Sequence, residues 1–257
     1  MNTRFSKWLR GGAAAAALVL PGACGTAVGS PGSSMPAPVS AADVYAHAMY
    51  QSAQYEARHV FPLFPAVPDA QGMVHVASVK TGPWPVRDTT LANEVWVTVV
   101  PEVRDSCDDW ADDEQVMRLR QLLGLQPTYP AAWVIEMRVP ATSMFRPTAD
   151  PAISTRTLCD TAQDPDCPLS FPAVVDAAHV RWFADKMLST WKMPNGYPRS
   201  GVDDFARLGY PWTRLGYTYN WHPGSPRYGA SEYVVRPQTR AVVTSVLSVA
   251  DYCRGPA

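Results

Sequence analysis

Lysine is scarce in this chain. Only Lys7, Lys80, Lys186 and Lys192 occur in 257 residues, and charged residues of both signs make up 18%. Glutamate is nearly as rare: Glu56, Glu94, Glu102, Glu114, Glu136 and Glu232. The full chain has 22 Lys+Arg against 23 Asp+Glu, and loss of Arg4, Lys7 and Arg10 with the leader described below leaves 19 against 23. A protein that tracks a phosphate backbone needs a basic face, so nucleic acid is not expected as a partner. No apolar run approaches the ~20 residues of a membrane-spanning helix. Gly-x-Ser-x-Gly is absent, which removes the mark of a nucleophile-elbow hydrolase, and so is a Gly-rich phosphate loop. Cys-x-x-Cys is also missing, and none of the five His stands at ligand spacing to a Cys, so no metal is expected. With 47% hydrophobic residues the chain is too apolar for disorder.

What is present begins with a leader. Met1–Arg10 is short and basic, Ala13–Leu20 is an unbroken apolar run, and Pro21 and Gly22 end it. Basic, apolar, then small residues is the order of a secretory signal, assigned here to residues 1–23. Two processing routes fit. Leu20-Pro21-Gly22-Ala23-Cys24 resembles a bacterial lipoprotein box, which would make Cys24 the lipidated first residue; cleavage after Ala27 is the other. Residues 24–40, rich in Gly, Ser, Pro and Ala, read as a flexible tether to a single globular domain, 41–257. The expected location is the bacterial periplasm or outer membrane as a lipoprotein, or the exterior by secretion. Any membrane contact would run through the lipid anchor alone.

Apart from Cys24, four cysteines remain, an even number that suits an exported protein with two disulfides. Cys159 and Cys167 flank a short loop and are expected to pair locally, which leaves Cys107 with Cys253.

The pattern along the domain is mixed. Ser40 is a good N-cap for a helix over 41–58. Strands are expected at 74–80, 94–100 and 131–139, with helices at 114–125 and 173–191. On the last helix Val175, Ala178, Trp182, Phe183, Lys186, Met187 and Thr190 form an apolar stripe, and His179 lies beside it. Strands at 215–221, 230–235 and 241–249 read as a C-terminal antiparallel meander. The fold class is therefore α+β, mostly antiparallel sheet with two or three packed helices.

Residues 210–221 are dense in aromatics: Tyr210, Trp212, Tyr217, Tyr219 and Trp221. Glu232 follows in mid-strand, where Glu is disfavoured. One reading pairs it with Arg214 or Arg227 at a sheet edge. The other puts it in a cleft with Arg214, Thr218 and Ser231 and a row of rings, Trp212, Tyr217 and Tyr219, that would stack on a planar or sugar-bearing ligand.

Glu232-Tyr-Val-Val-Arg-Pro237-Gln-Thr239-x-x-x-Val243 resembles the last strand pair of the ADP-ribosyltransferase fold, in which a catalytic Glu starts an apolar strand. The resemblance implies that Glu232 hydrogen-bonds the nicotinamide ribose of NAD, as substrate, and stabilises an oxocarbenium-like transition state. Ala230 stands where arginine-modifying members carry Glu or Gln, and strand 94–100 lacks the family's early Arg. Residues 210–253 are also similar to uncharacterised exported bacterial proteins. Two functions follow as expectations. The first is a lipid-anchored envelope protein with a non-catalytic role, binding an unknown protein or small molecule and needing no cofactor. The second is an ADP-ribosyltransferase-like enzyme or NAD glycohydrolase acting through Glu232.

Overall fold

β-Branched runs set the scaffold, and helix caps punctuate it. The computed structural model describes residues 39–54, 61–107, 109–156, 170–190 and 209–255. Helix α1 (Ala41–Ala53) opens on Ser40, whose hydroxyl accepts from Asp43 N–H while the Asp43 carboxylate accepts from Ser40 N–H, a reciprocal capping box. The helix expected over 41–58 ends earlier, at Ala53, because Gln54 turns extended (ψ 119°) and its N–H goes to Gln51 O; residues 55–60 lie outside the described part.

The elements that follow are β1 (Met73–Lys80), β2 (Asp88–Thr90), β3 (Val95–Val99), the single-turn α2 (Glu102–Asp105) and α3 (Gln115–Leu122). Next come β4 (Trp133–Pro140), β5 (Met144–Phe145) and α4 (Ala177–Thr190). The C-terminal part holds β6 (Tyr217–Tyr219), β7 (Tyr228–Ser231), β8 (Tyr233–Val235), β9 (Arg240–Ser248) and α5 (Val249–Cys253). The class is α+β with antiparallel pairing, as expected, but the described residues hold five helices, two of them single short turns, rather than two or three. The described residues belong to one compact unit, Pro38–Ala257, and no described helix is long and apolar enough to cross a membrane.

The C-terminal meander does not form. The main sheet runs β2-β9-β4-β1-β3-β8-β5, and β6 pairs only with β7 in a separate two-stranded sheet. Strand 230–235 is broken at Glu232, so that β7 stays with β6 while β8 joins β3. Strand β9 lies across the sheet, between β2 and β4. Four strand spacings separate β8 from β9, about 19 Å in a flat sheet. Five residue steps from Val235 to Arg240 reach at most roughly 18 Å, and only if fully extended. This segment instead turns, with Gln238 at φ 61°. The sheet must therefore curl. Gln238 N–H donates to Leu91 O and Leu91 N–H to Thr239 O, which draws the turn against the end of β2.

The curl's inner face holds the main core: Val74, Val76, Val95, Val97, Ile135, Met137, Val139, Tyr233, Val235, Ala241 and Val243. A second cluster lies under α2, α3 and α5, where Val103, Leu119, Leu123 and Tyr252 meet Ala77 and Val134. The expected Cys107–Cys253 disulfide sits in it and joins positions 146 residues apart. The expected Cys159–Cys167 bridge and Cys24 lie outside the described residues.

Helix α4 starts later than the expected 173, because Asp176 takes the Ala178 N–H on its side chain at 2.7 Å and caps the helix there. Its buried face also differs from the expected stripe. His179 and Phe183 are the buried residues, and Ala178 is exposed. His179 is buried because its Nε2 reaches Thr148 O at 2.8 Å and its ring stacks on Trp182.

Replacing Cys107 and Cys253 together by Ser should lower unfolding free energy by about 2–5 kcal/mol, since the loop they close is long. Denaturant titration reads this directly, and an unchanged midpoint would contradict it.

Candidate functional site

Strands β1 and β3 part company, and a cleft opens where they do. β1 pairs with β4 along its whole length, from Met73↔Pro140 to Lys80↔Trp133. With β3 it pairs only at Val76↔Val99 and Ala77↔Thr98. Beyond Ala77 the two strands splay, and Ser78 Oγ bridges the gap by donating to Trp96 O at 2.8 Å. The resulting cleft has a volume of about 360 Å³ and mostly apolar walls. Ser78, Lys80, Trp96 and Thr98 come from the strands, Lys186 and Thr190 from α4, and Tyr210, Thr218 and Glu232 from the C-terminal segment.

Glu232 stands at the closed end. The β3–β8 register sets Val97 opposite Tyr233, which brings Glu232 level with Thr98. Its N–H donates to Gly216 O at 2.9 Å, and this bond takes the residue out of the main ladder. Only 2% of its surface is exposed. Tyr210 Oη lies 2.7 Å from Glu232 Oε1 and 3.1 Å from Leu123 O. Glu232 Oε2 is buried with no hydrogen-bond partner. Burial pushes its carboxyl up to about 8, against the opposing influence of Tyr210 and the Arg146 charge. Tyr210 is raised well above its ordinary value, first by burial and then by the neighbouring carboxyl.

Tyr210 has a single hydrogen to donate. When Glu232 is neutral, its proton sits on Oε1, toward Tyr210 Oη, or on Oε2 while Oε1 accepts from Tyr210. When Glu232 is ionised, Oε1 takes the tyrosine hydrogen.

At the open end Glu94 is ion-paired with Lys186. It also accepts from Trp182 Nε1 at 3.0 Å and Trp96 Nε1 at 3.3 Å. Burial works against the charge on Glu94, yet Lys186 and the two indoles hold the carboxyl below its ordinary value. The same contacts fix α4 to β3. Behind them Trp96, Trp182, Trp212 and Phe183 pack edge-to-face or tilted, 4.9–6.2 Å apart.

The other expected site residues are mostly framework. Arg214 does not pair with Glu232. It sits at φ 62° and donates to Ala53 O at 2.9 Å, at the end of α1, and burial lowers its guanidinium to about 10. Arg227 reaches Gln51 instead. Thr218 lines the cleft, but its hydroxyl donates to Leu122 O and accepts from Ala230 N–H. Trp212, Tyr217 and Tyr219 are buried and none of them lines the cleft, so they are not a ligand-facing row. Ser231 is held by Glu102, which accepts from both its N–H and its hydroxyl.

Two glycines permit this packing. A Cβ on Gly229 would lie 2.1 Å from Leu122 O and 2.2 Å from Thr218 Oγ1. A Cβ on Gly216, at φ +85°, would lie 2.9 Å from Arg146 Cδ. Arg146 is fully buried and donates to Gly216 O, Phe64 O, Thr155 O and the Tyr233 hydroxyl, so it joins four segments behind Glu232.

Lys80, Glu94, Trp96, Lys186 and Tyr210 were not singled out from sequence as site residues. Lysine scarcity was the available signal: two of the chain's four lysines line one cleft. Among the described residues, no group of three or more His, Cys, Asp or Glu side chains could hold a metal. Comparison with protein-family models, with curated proteins and with solved structures finds no match for this chain.

The raised Glu232 carboxyl makes stability depend on pH. Between its ordinary value of 4.5 and about 8 the folded state holds a proton that the unfolded state lacks. The contribution is therefore complete below pH 4.5 and lost as pH rises to about 8. Wild type minus Glu232→Gln, by denaturant unfolding from pH 4.5 to 8.5, should fall by several kcal/mol across that window. A flat difference would contradict the buried, neutral carboxyl. Gly229→Ala should destabilise by about 1–3 kcal/mol through overpacking, and an unchanged melting temperature would contradict the close approach.

Proposed function

We propose that this chain is an exported envelope protein that binds a small organic molecule, without turning it over, in the cleft above Glu232. The observation that carries the reading is the unpartnered Glu232 Oε2 at the closed end of a largely apolar cleft. A buried polar atom left unmet costs about 1–3 kcal/mol, and a polar group of a ligand would meet it. Concave apolar pockets with a few convergent polar groups are the usual form of a small-molecule site. The leader-like residues 1–23, with Cys24 as a lipid anchor or with simple secretion, support export. The Cys107–Cys253 disulfide fits an oxidising compartment.

The enzyme reading has one observation in its favour. Glu232, the residue that the ADP-ribosyltransferase resemblance selects, lines the cleft and is a neutral acid near pH 7, which suits proton donation. Against it, stabilising an oxocarbenium-like charge needs a carboxylate, and Arg214 is engaged at α1.

The test is a titration of the purified, disulfide-intact protein with the neutral probe N-phenyl-1-naphthylamine, followed by the rise in the probe's own fluorescence. Saturable one-site binding, weakened about tenfold or more in Trp96→Ala, is expected, since one aromatic wall contact is worth about this much. Non-saturable binding, or binding indifferent to Trp96, would overturn the reading. Incubation with NAD should release no nicotinamide. Release by wild type and not by a folded Glu232→Ala would establish the enzyme instead.

A further inference from the structure

The polar groups of the cleft are not evenly spread. Ala77 is the last β1 residue paired with β3, and Glu232 lies at that closed end. Lys80 is three residues further along β1, at the open end, about 10 Å along the strand and two strand spacings across the sheet from Glu232. Between them the walls are apolar and aromatic, with Val79, Trp96, Val97 and Val134.

Lys186 already has Glu94 as its partner. Lys80 contacts an aromatic ring but, among the described residues, no carboxylate, and its ammonium lies 5.4 Å from the centre of the Trp84 ring. Burial holds the ammonium below its ordinary value, the mark of a charge that lacks a counter-ion. Tyr129 lines the same end, held there because Ala132 N–H, three residues on, donates to Lys80 O. The closed end offers a different contact, the carboxyl oxygen Glu232 Oε2, which has no protein partner. A neutral apolar molecule would leave both ends unmet.

We propose that the cleft selects an elongated organic anion, with a hydroxyl or N–H group that meets Glu232 and a carboxylate at its far end that meets Lys80 and Tyr129. This rests on the reading of the cleft as a binding site and adds the polarity and length of its ligand. The aromatic walls hold the ligand's body. Lys80 supplies selectivity for charge, and Glu232 sets the ligand's direction in the cleft.

The test uses three compounds of nearly equal size on the purified wild-type protein. They are 4-(4-hydroxyphenyl)butanoate, the uncharged 4-(4-hydroxyphenyl)butan-1-ol, and 4-(4-methylphenyl)butanoate, which lacks the donor. Calorimetric titration should show the hydroxy acid binding about tenfold or more tightly than either control, the scale of one charge-assisted hydrogen bond. Lys80→Met, checked for fold by circular dichroism, should bring the acid down to the level of the alcohol. Equal affinity of wild type for acid and alcohol overturns the charge selectivity while leaving the cleft a binding site. Equal affinity for hydroxy and methyl acids overturns the role of Glu232 in the same way. Binding of none of the three overturns this inference, while the naphthylamine titration decides the binding reading separately.

Discussion

Glu232 occupies the single-residue break between β7 and β8, where its N–H leaves the main sheet for Gly216 O. That backbone step turns the carboxyl inward beside Thr98, under a layer of aromatic rings. Burying a carboxylate without a cationic partner is expensive, and the molecule relieves this by keeping the group protonated. Even so, one oxygen remains without a partner. A residue whose only task was packing would be better served here by an apolar side chain of the same shape. The combination of desolvation, an unmet carboxyl oxygen and a concave setting is the pattern of a site rather than of a core.

The rest of the architecture keeps that arrangement in place. The splay of β1 from β3 makes the room, and the Glu94–Lys186 pair with its two indole donors holds α4 as the outer wall. Behind Glu232, Arg146 gathers the carbonyls of Phe64, Thr155 and Gly216 and the hydroxyl of Tyr233. Its guanidinium is the charge nearest in effect to Glu232, yet its hydrogen bonds go elsewhere. It lowers the cost of the buried carboxyl without neutralising it by direct contact.

Local signals in the sequence were legible where local physics decides. The β-branched runs marked β1, β3, β4 and β9, and Ser40 marked the start of α1. Sheet order was not legible, because strand pairing joins segments far apart in the chain and a short turn suggests a hairpin. The turn after β8 is such a case: it crosses to β9 only because the sheet curls. Rarity and strand position drew attention to Glu232, but not its burial or its partner Tyr210. Arg214 was expected beside it on nearness in sequence, whereas a left-handed backbone conformation at Arg214 directs its chain to α1. The aromatic run at 210–221 admits two readings, a ligand-facing row or a core or partner surface, and the rings are mostly interior; composition alone does not say which way a ring faces. The cleft itself was hidden, for it arises from strands that fail to pair.

The measurement that bears most directly on this account is the titration of Glu232 by carboxyl-carbon NMR. The chain has only six glutamates, so the resonance can be assigned by its loss in Glu232→Gln. The account predicts a midpoint near 8, displaced when a donor-bearing ligand occupies the cleft. A midpoint near the ordinary value of 4.5, insensitive to any ligand, would contradict it.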